Sequence, residues 1–195
     1  MDELKVVPAA TAAETEALKS DLIALMPALR AYARSLCPNQ ATADDMVQEA
    51  LVKALDNLHR FQIGTSLRAW VFTILRNTYY TALRKSRREV EDADGVHAAR
   101  LCERPSQDGV VDLEDFKRAF QLLSDDHREV LMLIGAAGLS YEEVAEICQC
   151  AIGTIKSRVN RARAKLGEAL GLQPEDFIVD PDRGSLPPGV LTGSW

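Results

Sequence analysis

Between Ala151 and Lys165 the chain carries five basic residues, Lys156, Arg158, Arg161, Arg163 and Lys165, and no acid. Helical phase sorts this run into two sides. Ile155, Val159, Ala162 and Leu166 recur at i, i+4, i+7 and i+11, the spacing of a buried stripe. At about 100° per residue, Lys156, Ser157, Asn160 and Arg161 fall on the opposite face, with Arg158 and Arg163 on its flanks. Amide, hydroxyl and guanidinium groups on one face match base edges in a major groove, and flanking cations match phosphates. An amphipathic surface helix is the bland alternative, but such helices usually mix both signs of charge. Thr154 supplies a natural N-cap oxygen for this helix. Upstream, Ser140-Tyr141-Glu142-Glu143 has the form of a capping box that opens a short preceding helix. Short helix, tight turn and basic helix together read as a helix-turn-helix.

A second basic island lies at Ser66 to Arg88, with Arg68, Arg76, Arg84, Lys85, Arg87 and Arg88 and again no acid. Its phase places Leu67, Trp70, Val71, Ile74, Leu75, Thr78 and Ala82 inward and Phe72, Arg76, Tyr80, Arg84 and Arg87 outward. Rings alternating with cations suit single-stranded DNA, whose bases stack on aromatics while its backbone follows the charge. Phe61 and the Gly64-Thr65-Ser66 turn are expected to wall a pocket for an extruded base, with Asn77 on its rim. The competing reading makes Phe61, Trp70 and Tyr79 ordinary core, and for Trp70 and Tyr79 it is the favoured one. The helix before turns Met46, Val47, Ala50, Leu51, Ala54 and Leu55 inward, leaving Asp45, Gln48, Glu49, Val52 and Asp56 outside. An acidic face beside a nucleic-acid surface suits a protein dock better than DNA.

The elements that must position these groups are helices, because 3.6-residue periodicity runs almost throughout and strand signals are nearly absent. The fold class is therefore all-α: two small helical domains, a three-helix bundle and a helix-turn-helix domain, joined by a flexible linker. Leu22, Ile23, Leu25, Met26, Leu29, Ala33 and Leu36 stripe the first helix; the next two are expected at Thr42 to Leu58 and Ser66 to Arg88. The division is an N-terminal segment (1–19), a first domain (20–88), an acidic linker (89–110), a second domain (111–171) and an irregular tail (172–195). Helices near Asp112 to Leu123, Asp125 to Ala137, Tyr141 to Gln149 and Thr154 to Leu170 build the second domain. Fully extended, the 22 residues from Glu89 to Val110 span about 70 to 80 Å.

The net charge of -6 over 195 residues conceals the two islands, which together hold 11 of the 23 basic residues. Set against an acidic remainder, they suggest two polyanion contacts and other surfaces kept for other partners. Four cysteines are too sparse for a disulfide framework, and with no signal peptide the expected location is a reducing cytoplasm. The longest apolar run, Val130 to Leu139, is far short of a membrane span. An enzyme is a poor reading: Cys148 and Cys150 lack zinc or redox spacing, and His59, His97 and His127 show no metal-ligand spacing with any cysteine. No cofactor is expected, and the cysteines read as small buried hydrophobes.

The runs Ala43 to Leu58, Phe61 to Arg88 and Gly153-Thr154-Ile155-Lys156-Ser157-Arg158-Val159-Asn160-Arg161-Ala162-Arg163 resemble sigma domains two and four of extracytoplasmic-function sigma factors. The stretch Ser66 to Glu91 is most similar to the EcfG type, the general stress response sigma factors of alphaproteobacteria. The resemblance implies binding of the RNA polymerase core and its direction to promoters. Lys156, Ser157, Asn160 and Arg161 would read the minus-thirty-five element as duplex. Phe61 and Asn77 would hold the flipped base of the minus-ten element on the melted non-template strand, with Arg76, Tyr80 and Arg84 nearby. Asp45, Gln48, Glu49 and Val52 would meet the polymerase clamp coiled coil. It also implies a NepR-type anti-sigma factor, displaced by a PhyR-type response regulator. Two departures from the family pattern are Gln149, where glycine is usual, and Ala151, where many members have proline. A left-handed Gln149 costs about 1 kcal/mol. Two rivals remain: a stand-alone helix-turn-helix regulator, which leaves the aromatic-basic helix unexplained, and a sigma-mimicking anti-sigma-binding protein, which expects a receiver domain and eroded DNA contacts.

Overall fold

Residues 12–37, 39–91 and 113–172 are described by the computed structural model, and every element among them is helical. In the first half α1 (Ala12–Leu36), α2 (Gln40–Asp56) and α3 (Leu67–Glu91) pack mutually, with a single 3-10 turn at Leu58–Arg60. α1 begins within the expected N-terminal segment and runs through Pro27. The hydrogen bond that proline cannot donate falls on the Ile23 carbonyl, on a face where Ile23 and Pro27 are exposed rather than buried. Asn39 caps α2 through a 2.8 Å bond from the Ala41 amide to its Oδ1. The Ser66 hydroxyl accepts from the Ala69 amide at 3.2 Å and opens α3. α3 continues to Glu91, so the first residues assigned to the linker are its last turn. The remainder of the linker and the tail after Leu172 lie outside the described residues.

The second half holds α4 (Leu113–Gln121), α5 (Asp125–Leu131), α6 (Tyr141–Cys148) and α7 (Ile152–Leu170). α5 continues as one π turn, Met132–Ala136, closed by the Ala137 amide on the Met132 carbonyl. The capping box at α6 is complete, with Glu143 N to Ser140 Oγ at 3.1 Å and Ser140 N to Glu143 Oε2 at 2.8 Å. Gln149 ends α6 at φ 54°, ψ 45°, so it adopts the left-handed conformation in place of the usual glycine. α7 starts two residues earlier than expected: Ala151 is its N-cap, without a side-chain bond, and Thr154 lies inside the first turn. The Ala151 carbonyl already accepts from the Thr154 amide at 2.8 Å, which removes Thr154 from the capping position.

The two halves are packed on one another and share a continuous core. α1 touches α5 and the π turn, and α3 touches α6. This packing explains one departure from the amphipathic reading of the helices, the burial of Phe72. Phe72, placed outward from phase, is 0% exposed and packs its ring 5.4 Å from that of Tyr32. Ala82, Leu55 and Ile23, placed inward, are exposed. A helix covered on two sides buries a stripe wider than one face, and its rotation is set by both neighbours.

Candidate nucleic-acid interface

α7 presents the arrangement that its phase demanded. Ile155, Val159, Ala162 and Leu166 are buried, while Lys156, Asn160 and Arg161 are exposed side by side. Ser157 is half-buried, and its hydroxyl donates to the Thr154 carbonyl at 2.9 Å. Arg158 lies to one side, held at 2.9 Å by Asp126 of α5. Arg163 departs from expectation: it is only 9% exposed, so its guanidinium stem packs inside the domain instead of flanking the open face. The reason is its position directly after Ala162 and four residues beyond Val159, which carries it over the buried stripe. Half-buried His127 of α5 stands beside this helix, its imidazole pushed down first by burial and next by the charge of Lys165.

On α3 the predicted groups separate into free and engaged. Asn77 and Arg84 are exposed, the latter turned back to the Tyr80 carbonyl at 3.1 Å. Phe61 is 7% exposed and its ring lies 5.4 Å from that of Trp70, so it is a wall residue backed by the core, without a free stacking face. Tyr79 is buried, in line with its core reading. Arg76 and Tyr80 stack on each other, with the guanidinium carbon 4.5 Å from the ring centroid. Both are also bound to one residue of the other half. Glu129 of α5, 0% exposed, accepts from Arg76 Nε at 2.9 Å, from Tyr32 Oη at 2.9 Å and from Tyr80 Oη at 3.4 Å. Burial, and then the Glu129 carboxylate, push the Tyr80 phenol up to about 12 and Tyr32 well above its usual value. Arg68 makes a further cross-domain bond, donating to the Ala137 carbonyl at 2.7 Å. The side chain of Arg87 lies outside the described ones.

Glu129 and Tyr32 have no part in the sequence reading, and Arg68 enters it only as one charge of the second basic island. Glu129 had a signal: an acid leading directly into Val130-Leu131-Met132-Leu133-Ile134, a position that must be buried and therefore paired. Its partners were not legible, since they lie 49 to 97 residues away.

On α2, Asp45, Gln48, Glu49 and Val52 are exposed together, Val52 at 56%, and Leu55 at 48% extends the apolar part of the patch. Glu49 pairs with Lys53 at 2.6 Å, and Lys53 in turn donates to Thr78 Oγ1 at 3.1 Å, tying this face to α3. Burial raises the thiols of Cys37 and Cys148, the latter to about 12, which makes both poor nucleophiles. Among the described residues no group of His, Cys, Asp and Glu could hold a metal ion, and no helix is long and apolar enough to cross a membrane.

A helix-turn-helix with an exposed polar reading face, joined to a basic-aromatic three-helix bundle with an acidic outer face, defines an RNA polymerase sigma factor, the initiation subunit that directs the enzyme to promoters. Sigma-70 region 2 matches residues 23–89 and Sigma-70 region 4 matches residues 113–166. The chain belongs to the extracytoplasmic-function sigma factors. It is 52% identical to the ECF RNA polymerase sigma factor EcfG of Rhodopseudomonas palustris, over 85% of this chain and 92% of that one. Against the ECF sigma factor SigC of Mycobacterium tuberculosis the identity is 34%, over 70% of this chain and 73% of the relative. Among solved structures, the sigma factor RpoE of Bartonella quintana, co-crystallised with the anti-sigma factor NepR, matches with a TM-score of 0.70 at 50% identity, covering 81% of this chain and 99% of that one. CnrH in complex with the cytosolic domain of CnrY matches at a TM-score of 0.55 and 25% identity, covering 80% and 88%.

Proposed function

We propose that this sigma factor is of the EcfG type, serves general stress response genes and acts in the cytoplasm as a binding subunit without catalysis of its own. The observation that carries its promoter reading is α7: a buried Ile155, Val159, Ala162 and Leu166 stripe opposite exposed Lys156, Asn160 and Arg161. In this reading those three and Ser157 contact the minus-thirty-five bases, Arg158 and the amides near Thr154 contact phosphates, and buried Arg163 supports the helix from behind. Arg76, Asn77, Tyr80 and Arg84 handle the melted minus-ten strand, and Phe61 backs the pocket wall from the core. Asp45, Gln48, Glu49 and Val52 form the dock for the polymerase clamp coiled coil, an assignment supported by their shared exposure and negative charge. The functional units are 12–91, with the end of α3 in place of the first linker residues, and 113–171, with the residues between them as the tether.

The similarity to RpoE, solved with NepR, supports an anti-sigma partner of the NepR type for this chain as well. Run-off transcription with purified core polymerase on a promoter library tests the whole reading. Specific transcripts that require the protein are expected, and they define both promoter elements. Sequence-specific binding of the protein alone without any transcripts overturns it in favour of a stand-alone regulator. Capture of an anti-sigma factor with neither transcripts nor DNA binding overturns it in favour of a mimic.

A further inference from the structure

We propose that Glu129 is an intramolecular stand-in for a DNA phosphate: its carboxylate occupies Arg76 and Tyr80, so α5 closes the single-strand surface of α3 until nucleic acid takes its place. The proposal rests on the assignment of Arg76 and Tyr80 to the melted strand. Three features carry it. Glu129 is 0% exposed yet lies on the opposite half of the molecule from all three of its side-chain partners. A carboxylate and a phosphate present the same acceptor oxygens to a guanidinium, so one site accommodates either anion but not both. The groups taken are also the stacked cation and ring of the basic-aromatic face, with Arg76 seated 4.5 Å from the Tyr80 centroid.

Within this arrangement the buried acid and base satisfy each other inside one chain. Opening the halves hydrates Glu129 and Arg76 together, which removes the desolvation cost of the closed pair at the moment their mutual bond is lost. Such a contact specifies one docked arrangement while adding little net stability, as a displaceable latch requires. Arg68 on the Ala137 carbonyl acts as a second, neutral fastening of the same interface.

The test uses the full chain. Glu129→Gln keeps the shape and removes the charge; Glu146→Gln removes the same charge from an exposed side chain of α6 that makes no bond to the other half. Small-angle X-ray scattering measures compactness, and fluorescence anisotropy with a labelled mixed-sequence 20-nucleotide DNA strand measures binding. Glu129→Gln is expected to enlarge the radius of gyration by several ångströms and tighten single-strand binding about tenfold, while Glu146→Gln does neither. Arg68→Ala, read by scattering alone, is expected to shift compactness in the same direction by less. A Glu129→Gln protein as compact as the wild type overturns the latch. Opening without any gain in strand binding overturns the competition, and with it the minus-ten assignment of Arg76 and Tyr80. An equal gain in Glu146→Gln reduces the effect to net charge and overturns it also.

Discussion

The two basic helices, α3 and α7, have the same charge logic in sequence and opposite situations in the molecule. α7 lies with one side buried in its own domain and its polar face open, so Lys156, Asn160 and Arg161 are available as they stand. α3 is covered on two sides, by α1 and α2 of its own half and by α6 of the other, and Arg76 and Tyr80 are bound to Glu129 of α5. A helix needs one neighbour to expose a reading face, and a second neighbour turns part of that face into interface. On the proposed roles, duplex would meet α7 directly, whereas a melted strand would meet α3 fully only once the halves part.

The largest expected effect breaks the assumption that α3 has a free outer face. Phe72→Ala should cost about 3 to 5 kcal/mol in denaturant unfolding, because it opens a cavity beside Tyr32. If Phe72 were an outward stacking residue, its loss would leave stability unchanged and weaken only strand binding. On α7 the corresponding change is functional: Arg161→Ala should lose about 1 to 3 kcal/mol of promoter discrimination in transcription from promoter variants. Its unfolding midpoint should stay put, as expected for an exposed side chain.

Smaller effects sharpen the comparison at the helix starts. Ser140→Ala should cost about 1 kcal/mol through loss of the capping box, while Thr154→Ala, inside the first turn, should cost clearly less in the same unfolding experiment. The smallest effect concerns His127 behind α7. Its lowered value means that the folded state favours the neutral imidazole, so this contribution to stability is present above about pH 6.5. The contribution is lost as pH falls through the folded value. His127→Asn should therefore show a shallower decline in thermal midpoint between pH 7.5 and 5.5 than the wild type, read by circular dichroism.

Much of the site was legible in sequence because it depends on local order. The capping box at Ser140 and the buried stripe of α7 follow from spacing within a few residues. Phase alone misplaces Phe72, which a second neighbour covers, and Ala82 and Leu55, which no neighbour covers, while Arg163 lies closer to the buried stripe than a flanking position requires. Residue type alone makes Thr154 the cap, and the structure places the cap three residues earlier, at Ala151.

The sequence by itself determined the all-helical class, the two basic islands and the exposed polar face of α7, since helical periodicity and charge segregation are properties of neighbours along the chain. Only the tertiary structure decided that Phe61 and Phe72 belong to the interior, and that Glu129 reaches Tyr32, Arg76 and Tyr80. Those contacts join residues 49 to 97 positions apart, and a buried charge finds its partner through packing between helices, which no local pattern encodes.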